Sequence, residues 1–285
     1  MTYQPNASSF TRFEVRPMSP SIGAEIFGVD LRDAQDDGLF ADLRRALLTY
    51  KVIFFRDQEI TRAQHIAFAK RFGPLEIHPA TPADQDDPEV LRIAHGPDSK
   101  GRENNWHSDV TWRETPSLGS ILRAIEIPPY GGDTLFADMY AAYDGLSPAM
   151  KDWVCTLTAQ HDIARVFGRR LGVDADALRA KYPVQTHPVV RTHPETGRRA
   201  LYVNTGFTEK INGLSRKESD WLLAHLYAQA AIPEHQCRFV WRPNSIAFWD
   251  NRASQHYAAS DYFPQVRRME RVTIAGDKPF FDPSR

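Results

Sequence analysis

Two segments far apart in the chain contain residue types that can bind a metal ion. The first is Trp106-His107-Ser108-Asp109-Val110-Thr111, and the second runs from Trp249 to Tyr257 and includes His256. Between them they supply two histidines and one carboxylate. Such a set can hold ferrous iron on one face and leave the opposite face open for oxygen and substrates. The two segments therefore indicate a reaction type as well as a fold.

The spacing of His107 and Asp109 suits an extended segment. Alternate residues of a strand point the same way with a rise of about 3.3 Å each, whereas on a regular helix these two side chains would diverge. The spacing alone is weak evidence, because ten histidines and 36 acidic residues in 285 positions give about one chance match. A second match, His193-Pro194-Glu195, lies in a predicted turn. The residues alone leave open that His107 is a hydrogen-bonded structural histidine.

The composition is that of an ordinary globular protein. The net charge of −1 gives no indication of nucleic acid or an anionic membrane as a partner. No apolar run approaches the length that spans a bilayer, and the first residues lack the features of a signal peptide. The two cysteines, Cys155 and Cys237, suit a reducing compartment. We expect a soluble cytoplasmic protein.

Helical periodicity and capping residues predict three helices. Residues 36–50 have apolar side chains at helical spacing. Thr61 with Gln64 forms a capping box that begins a second helix, which ends before Gly73. Ser215 with Glu218 begins a third helix. We expect its apolar side to include Trp221, Leu222 and Leu226.

Short runs of β-forming residues dominate the rest of the chain. Residues 51–55 predict a buried strand. Further strands are predicted at 118–125, 134–136, 189–191, 200–203, 238–241, 246–249 and 272–275, with a hairpin turn at 192–198. Many short strands and few helices predict a mainly β fold with peripheral helices around a jelly-roll core, in a single domain over residues 1–285. Residues 160–186 are less regular and predict a mobile lid or, equally, an ordinary long connection.

Over residues 13–280 the chain resembles the taurine dioxygenase family, which includes chlorophenoxyacetate and alkyl-sulfate dioxygenases. The motifs that support the resemblance are Gly73-Pro74-Leu75-Glu76-Ile77-His78-Pro79, Trp106 to Thr111, Gly131-Gly132-Asp133-Thr134-Leu135, His187 to Pro194, Trp249-Asp250-Asn251-Arg252 to His256, and Asp261-Tyr262 through Arg267 and Arg271. They follow one another in order at family-like separations. The resemblance implies a double-stranded β-helix and an Fe(II)- and 2-oxoglutarate-dependent oxygenase that consumes O2.

The resemblance also implies roles for individual residues. His107, Asp109 and His256 would be the iron ligands. Thr134 and Arg267 would bind the far carboxylate of 2-oxoglutarate, and a guanidinium suits this role because it can donate two parallel hydrogen bonds to a carboxylate.

The neighbourhood of Arg267 gives a test of its orientation. Its alternative role is that of a solvated surface charge, since Arg268 lies beside it. On a strand, Arg267 and Arg271 share one face and Arg268 points away. This alternation (the parity of the strand positions) therefore predicts that Arg267 and Arg271 both point inward, one toward 2-oxoglutarate and one toward an anionic substrate.

By the same resemblance, Arg271 and His78 match the residues that hold the sulfonate of taurine. Val110, Phe167 and Phe207 match apolar residues that line the substrate pocket, with ordinary core packing as the alternative. An anionic substrate is the expectation.

Two positions depart from the taurine dioxygenase pattern. Where close relatives have an asparagine and a tyrosine near the substrate, this chain has Glu103 and Thr81. Glu103 would either repel a sulfonate or bind the amine of an amino-sulfonate. The loss of the tyrosine should widen the pocket and change its polarity.

The leading hypothesis is hydroxylation of a small sulfonate or alkyl sulfate with release of sulfite or sulfate. The first alternative is the same chemistry on a carboxylate, such as an aryloxyalkanoate or an amino acid derivative. The second is a catalytically silent β-helix protein that binds a metal or an anion. The resemblance further implies a homodimer or homotetramer.

Overall fold

The computed structural model of the chain describes residues 9–33, 36–79, 81–82, 84–171 and 174–285. Most regular structure in these residues is β. The strands are β1 (Glu14–Pro17), β2 (Ala24–Phe27), β3 (Val52–Phe55), β4 (Leu75–Glu76), β5 (Val90–His95), β6 (Gly119–Glu126), β7 (Thr134–Asp138), β8 (Thr158–His161), β9 (Gln185–Pro188), β10 (Val190–Thr192), β11 (Arg199–Leu201), β12 (Thr208–Ile211), β13 (Gln236–Phe239), β14 (Ile246–Asp250), β15 (Ser254–Ala258) and β16 (Arg267–Ile274).

The helices lie outside the sheets. They are α1 (Asp37–Tyr50), α2 (Arg62–Lys70), α3 (Met139–Asp144), α4 (Pro148–Val154), α5 (Ala164–Leu171), α6 (Ala175–Lys181) and α7 (Arg216–Ala228), with short 3-10 turns at Gln229–Ala231 and Pro233–His235. No helix within the described residues is both long and apolar enough to cross a membrane.

The larger sheet has the strand order β1-β2-β3-β14-β6-β16-β4, and β5 also pairs with β16. Its central strands carry apolar residues on both faces, because α1 and α2 cover one face and a second layer covers the other. That layer includes the sheet β13-β7-β15.

Aromatic side chains from both layers fill the space between the sheets. Phe54 of β3 stacks on Phe239 of β13 at 4.1 Å between ring centroids. Phe136 of β7 contacts both Phe54 and Trp249 of β14. These contacts confirm the predicted double-stranded β-helix core.

The capping residues predicted from the sequence begin their helices. Thr61 with Gln64 and Ser215 with Glu218 both form complete capping boxes. The predicted apolar side chains of α1 are all buried, and so are Leu222 and Leu226 of α7. The prediction for Trp221 was wrong, because its side chain is 61% exposed.

Most predicted strands are present, with shifted ends. Strands β6 and β14 match closely, and β10 pairs with β11 across the predicted hairpin turn. Strand β16 begins at Arg267, five residues before the predicted start, since four of its first five residues are charged. Eight strands within the described residues were not predicted: β1, β2, β4, β5, β8, β9, β12 and β15. Each has at most six residues and includes polar ones.

Residues 160–186 are more regular than predicted, because α5 and α6 occupy much of this segment. Asp174 caps α6 by accepting a hydrogen bond from Ala177 N–H. Residues 172 and 173 of the segment lie outside the described residues. Its closure as a lid and the single-domain boundary at 1–285 stay predictions.

Candidate active site

A β-bridge between two distant segments brings the histidines together. His107 N–H donates to the His256 carbonyl at 3.1 Å, and His256 N–H donates to the His107 carbonyl at 2.9 Å. His256 belongs to β15, so this bridge attaches the segment that contains His107 to the sheet β13-β7-β15. The imidazole centroids are 4.2 Å apart.

The three predicted ligand side chains form one cluster. Asp109 Oδ1 lies 3.9 Å from His107 Nε2 and 4.0 Å from His256 Nε2, and the candidate ligand atoms all lie within 4.8 Å of one another. Among the described residues, this is the one group of three or more His, Cys, Asp or Glu side chains with such spacing. Asp109 and His256 are buried. A ferrous ion fits this nitrogen and oxygen donor set.

Hydrogen bonding and burial prepare these groups for a metal. His107 Nδ1 donates to the Asn105 carbonyl at 2.9 Å, which leaves the Nε2 lone pair available. Burial, reinforced by the neighbouring His107, lowers the pKa of His256 to about 3, so its imidazole is neutral at pH 7. Burial opposes the charge on Asp109, but Arg271 and the two histidines outweigh it and hold the pKa of Asp109 well below its usual range. Metal ligands are needed in these protonation states.

Strand β16 presents its arginines as the parity predicted. Arg267 and Arg271 line the same small cavity, whereas Arg268 is exposed and bonds to Glu126 at 2.7 Å. Arg271 Nη1 also donates to Asp109 Oδ1 at 2.8 Å. The second guanidinium therefore lies directly against the metal cluster.

The small cavity has a volume of about 70 Å³ and is lined by His107, His256, Thr134 and Arg267, among others. Arg267 is buried, and its Nε and Nη2 atoms have no hydrogen-bond partner among the described residues. Burial lowers the pKa of Arg267, although it stays charged. Thr134 Oγ1 accepts from Trp241 Nε1 at 2.9 Å, so its own hydrogen remains to be donated. A carboxylate of 2-oxoglutarate fits these donors.

Gly132 leaves room for the Arg267 side chain. A Cβ at this position would lie 3.2 Å from Arg267 Cδ and Nε, and its φ is +72°. Glycine adopts this conformation without strain. Gly132 is thus explained by the approach to Arg267, whereas a Cβ at Gly131 would lie 2.8 Å from Asp261 Oδ1.

A larger cavity of about 310 Å³ lies on the other side of Arg271. All five predicted substrate-binding residues line it: His78, Val110, Phe167, Phe207 and Arg271. Burial and the Arg271 charge lower the pKa of His78 to about 4, so its imidazole is neutral at pH 7. The remaining lining residues are four apolar and four polar side chains, and the polar ones are Glu103, Asn105, His107 and Asp109. The sequence analysis missed Leu91, Ile93, Trp112 and Val166. Leu91 and Ile93 alternate on β5, a signal that depends on recognising that strand.

The two departures from the family pattern separate in space. Glu103 lines both cavities, with Oε2 3.3 Å from His95 Nε2. Thr81 does not line either one. It lies on an outer groove that shares His78 and Trp112 with the larger cavity, and the expected widening of the substrate pocket stays a prediction.

The other His-x-acid match belongs to a different network. His193 Nε2 bonds to Asp250 Oδ2 at 3.0 Å, and both side chains are completely buried. Glu195 pairs with Arg44 and with Arg252, which in turn pairs with Asp250. These partners already satisfy the two residues, as expected of a structural role.

Comparison with known proteins places this geometry among oxygenases. Residues 14–273 match the family described as Taurine catabolism dioxygenase TauD, TfdA family. The chain is 37% identical to an alpha-ketoglutarate-dependent sulfate ester dioxygenase from Pseudomonas putida, over 93% of this chain and 90% of that protein. It is also 37% identical to a (S)-phenoxypropionate/alpha-ketoglutarate-dioxygenase from Sphingobium herbicidovorans, over 93% and 96%. The crystal structure of a taurine dioxygenase from Burkholderia xenovorans matches with a TM-score of 0.84 at 39% identity, covering 96% of this chain and 93% of that one.

Proposed function

This chain belongs to the taurine catabolism dioxygenase TauD, TfdA family and is an Fe(II)- and 2-oxoglutarate-dependent dioxygenase, and we propose that its substrate is an apolar-chain sulfate ester or sulfonate. The same family assignment argues against the catalytically silent alternative. The observation that carries the substrate proposal is the pair of inward-facing arginines on β16: Arg267 lines the small cavity, and Arg271 lines both cavities.

In this proposal His107, Asp109 and His256 hold the iron, while Arg267 and Thr134 bind the far carboxylate of 2-oxoglutarate. With iron bound, the site would use O2 to convert 2-oxoglutarate to succinate and CO2. One oxygen atom of O2 would enter the succinate, and the other would enter a C–H bond of the substrate. The protein contributes position and the exclusion of water. The apolar walls of both cavities suit the second task.

The larger cavity supports an anion with an apolar body. Arg271 and His78 supply a donor end beside the metal cluster, and Val110, Phe167 and Phe207 belong to an apolar wall. An anion held by Arg271 would place its adjacent carbon next to the iron. If that carbon carries a sulfate or sulfonate, its hydroxylation product collapses to an aldehyde and releases sulfate or sulfite.

A carboxylate substrate is the second candidate, because the phenoxypropionate dioxygenase is as similar to this chain as the sulfate ester dioxygenase. Both anions suit the Arg271 guanidinium. Only a sulfur-containing anion releases sulfate or sulfite, so the two candidates differ in a measurable product.

The test is succinate formation by anaerobically iron-loaded protein with 2-oxoglutarate and O2. The panel pairs alkyl sulfates, alkyl sulfonates and aryloxypropionates of matched chain length, and includes taurine to examine Glu103. We expect succinate in step with released sulfate or sulfite, with the highest kcat/KM for a chain of several carbons. Equal turnover of carboxylates without sulfur release would favour the second candidate, and a preference for taurine would contradict the apolar chain.

We further propose that the protein is cytoplasmic, acts as a homodimer or homotetramer, and has no nucleic acid or membrane partner. The near-neutral net charge supports the last point. Sedimentation of the purified protein would determine the oligomeric state.

A further inference from the structure

The buried side chain of Asn251 holds the backbone of Asp109 on both sides. Asn251 Oδ1 accepts a hydrogen bond from Asp109 N–H at 2.6 Å. Asn251 Nδ2 donates to the Asp109 carbonyl at 3.0 Å and to the Ser117 carbonyl at 3.1 Å. The side chain is 1% exposed, so water does not compete for these bonds.

The chain needs support at this point because it turns sharply after Asp109. Val110 has φ +48°, a left-handed conformation that is rare for a β-branched residue. Such a conformation persists only where the surroundings enforce it. Asn251 bonds to the peptide groups on both sides of Asp109, directly before the strained residue, and so can enforce the turn.

Asn251 is held firmly in its own turn between β14 and β15. Its N–H donates to the Leu118 carbonyl at 2.8 Å. The neighbouring Asp250 and Arg252 form a buried ion pair at 2.8 Å, and Asp250 also bonds to His193. The same turn leads into β15, which contains His256. Asn251 therefore fixes Asp109 relative to the strand that carries another candidate ligand.

We propose that Asn251 is a positioning residue that sets the direction of the Asp109 carboxylate toward His107 and His256, and thereby the affinity of the iron site. A primary amide can accept from an N–H and donate to a carbonyl with one planar group. A carboxylate retains the acceptor and loses the donor, and an alanine loses both. The inference rests on the proposed iron site.

The chain offers a matched control in Gln58. This buried amide also accepts one backbone N–H, from Leu31 at 2.8 Å, and donates to two carbonyls, those of Val29 and Arg56. It does not line either cavity. Removing it loses three hydrogen bonds, against four at Asn251, which also donates to Ser117 Oγ at 3.4 Å. The loss should lower stability without affecting the metal.

The experiment measures Mn(II) affinity by electron paramagnetic resonance of the free ion, and unfolding by urea with EDTA present. Asn251→Ala and Asn251→Asp should weaken Mn(II) binding by about 10- to 100-fold, the usual effect of losing a residue that orients a metal ligand. Gln58→Ala should be destabilised comparably while it keeps wild-type affinity. The isosteric Asn251→Asp variant serves where Asn251→Ala does not fold.

The outcomes separate the inference from the proposed site. Wild-type Mn(II) affinity in either folded Asn251 variant would overturn the positioning role. An equal loss of affinity in Gln58→Ala would overturn it as well, because general destabilisation would then explain both. If Asp109→Ala binds Mn(II) as well as wild type, the iron site itself is wrong and the inference fails with it.

Discussion

Replacement of Arg267 by glutamine should remove most of the affinity for 2-oxoglutarate, whereas the same change at Arg268 should not. The two arginines are adjacent in sequence and lie on opposite faces of β16. Arg267 lines the small cavity beside Thr134, and Arg268 pairs with Glu126 at the surface. The pair therefore separates the effect of the cavity from that of net charge.

The expected magnitude follows from burial. Arg267 is 5% exposed, and a carboxylate bound to its unpartnered Nε and Nη2 atoms would form a buried ion pair. Removing one partner of such a pair costs about 3–5 kcal/mol. Since about 1.4 kcal/mol changes an affinity tenfold, the dissociation constant should rise by roughly a hundred- to a few thousandfold. Exposed pairs such as that of Arg268 contribute about 0–1 kcal/mol to stability, and this one does not contact the cavity.

The assay is isothermal titration of 2-oxoglutarate into Mn(II)-loaded protein. A second variant, Arg267→Met, should show the opposite sign in stability without ligand, because unpaired buried donors cost about 1–3 kcal/mol each. It should unfold at a higher urea concentration than wild type. Wild-type affinity in Arg267→Gln, or an equal loss in Arg268→Gln, would refute the reasoning.

Three other perturbations test different parts of the structure. Gly132→Ala should destabilise the protein by about 1–2 kcal/mol in urea unfolding, because it forces a side chain into the left-handed region. It should also weaken 2-oxoglutarate binding in the titration, because the added Cβ displaces Arg267. Phe207→Ala should raise KM for a long-chain substrate by about 10- to 100-fold through lost apolar contact of about 1.5–3 kcal/mol, with unchanged 2-oxoglutarate affinity in the same titration. Burial lowers the pKa of His65 to about 4, so the unfolded state binds a proton first and stability falls as the pH drops from about 6.5 to 4. Between pH 8 and pH 5 the free energy of unfolding of His65→Gln should therefore fall by about 2 kcal/mol less than that of wild type, as measured by urea unfolding. A parallel pH profile for wild type and His65→Gln would show that His65 does not contribute.

Local signals in the sequence were sufficient where one side chain determines an outcome. The capping boxes at Thr61 and Ser215 satisfy free N–H groups within four residues, so they are visible in the sequence. The parity of Arg267 and Arg271 is equally local, since alternation on a strand follows from backbone geometry. These predictions did not require knowledge of the tertiary fold.

Other features depend on contacts between residues far apart in the chain, and the spacing of residues in the sequence does not reveal these contacts. Strand β5 has only two polar residues, Arg92 and His95, which do not alternate with its apolar ones, and it exists because β16 pairs with it along its whole length. Its residues Leu91 and Ile93 were therefore missed as parts of the larger cavity. The family resemblance pointed to Thr81 as a departure near the substrate, and the position of its side chain on an outer groove is visible only in the fold. Asn251 was noted as part of a motif, and its bonds to Asp109 span 142 positions.

The two His-x-acid matches show why spacing alone could not identify the metal site. Both pairs are held by buried or half-buried surroundings, and both lie near the turn between β14 and β15. His193 and Glu195 face the side of that turn where Asp250 bonds to the imidazole and Arg252 pairs with the carboxylate. His107 and Asp109 face the other side, where β15 adds a second imidazole and leaves nitrogen and oxygen ligand atoms within 4.8 Å. A metal site requires donor atoms that the protein brings together but does not fully pair with its own groups. The third ligand, His256, lies 147 positions after Asp109 in the sequence, and only this residue distinguishes the metal-binding pair from the structural pair.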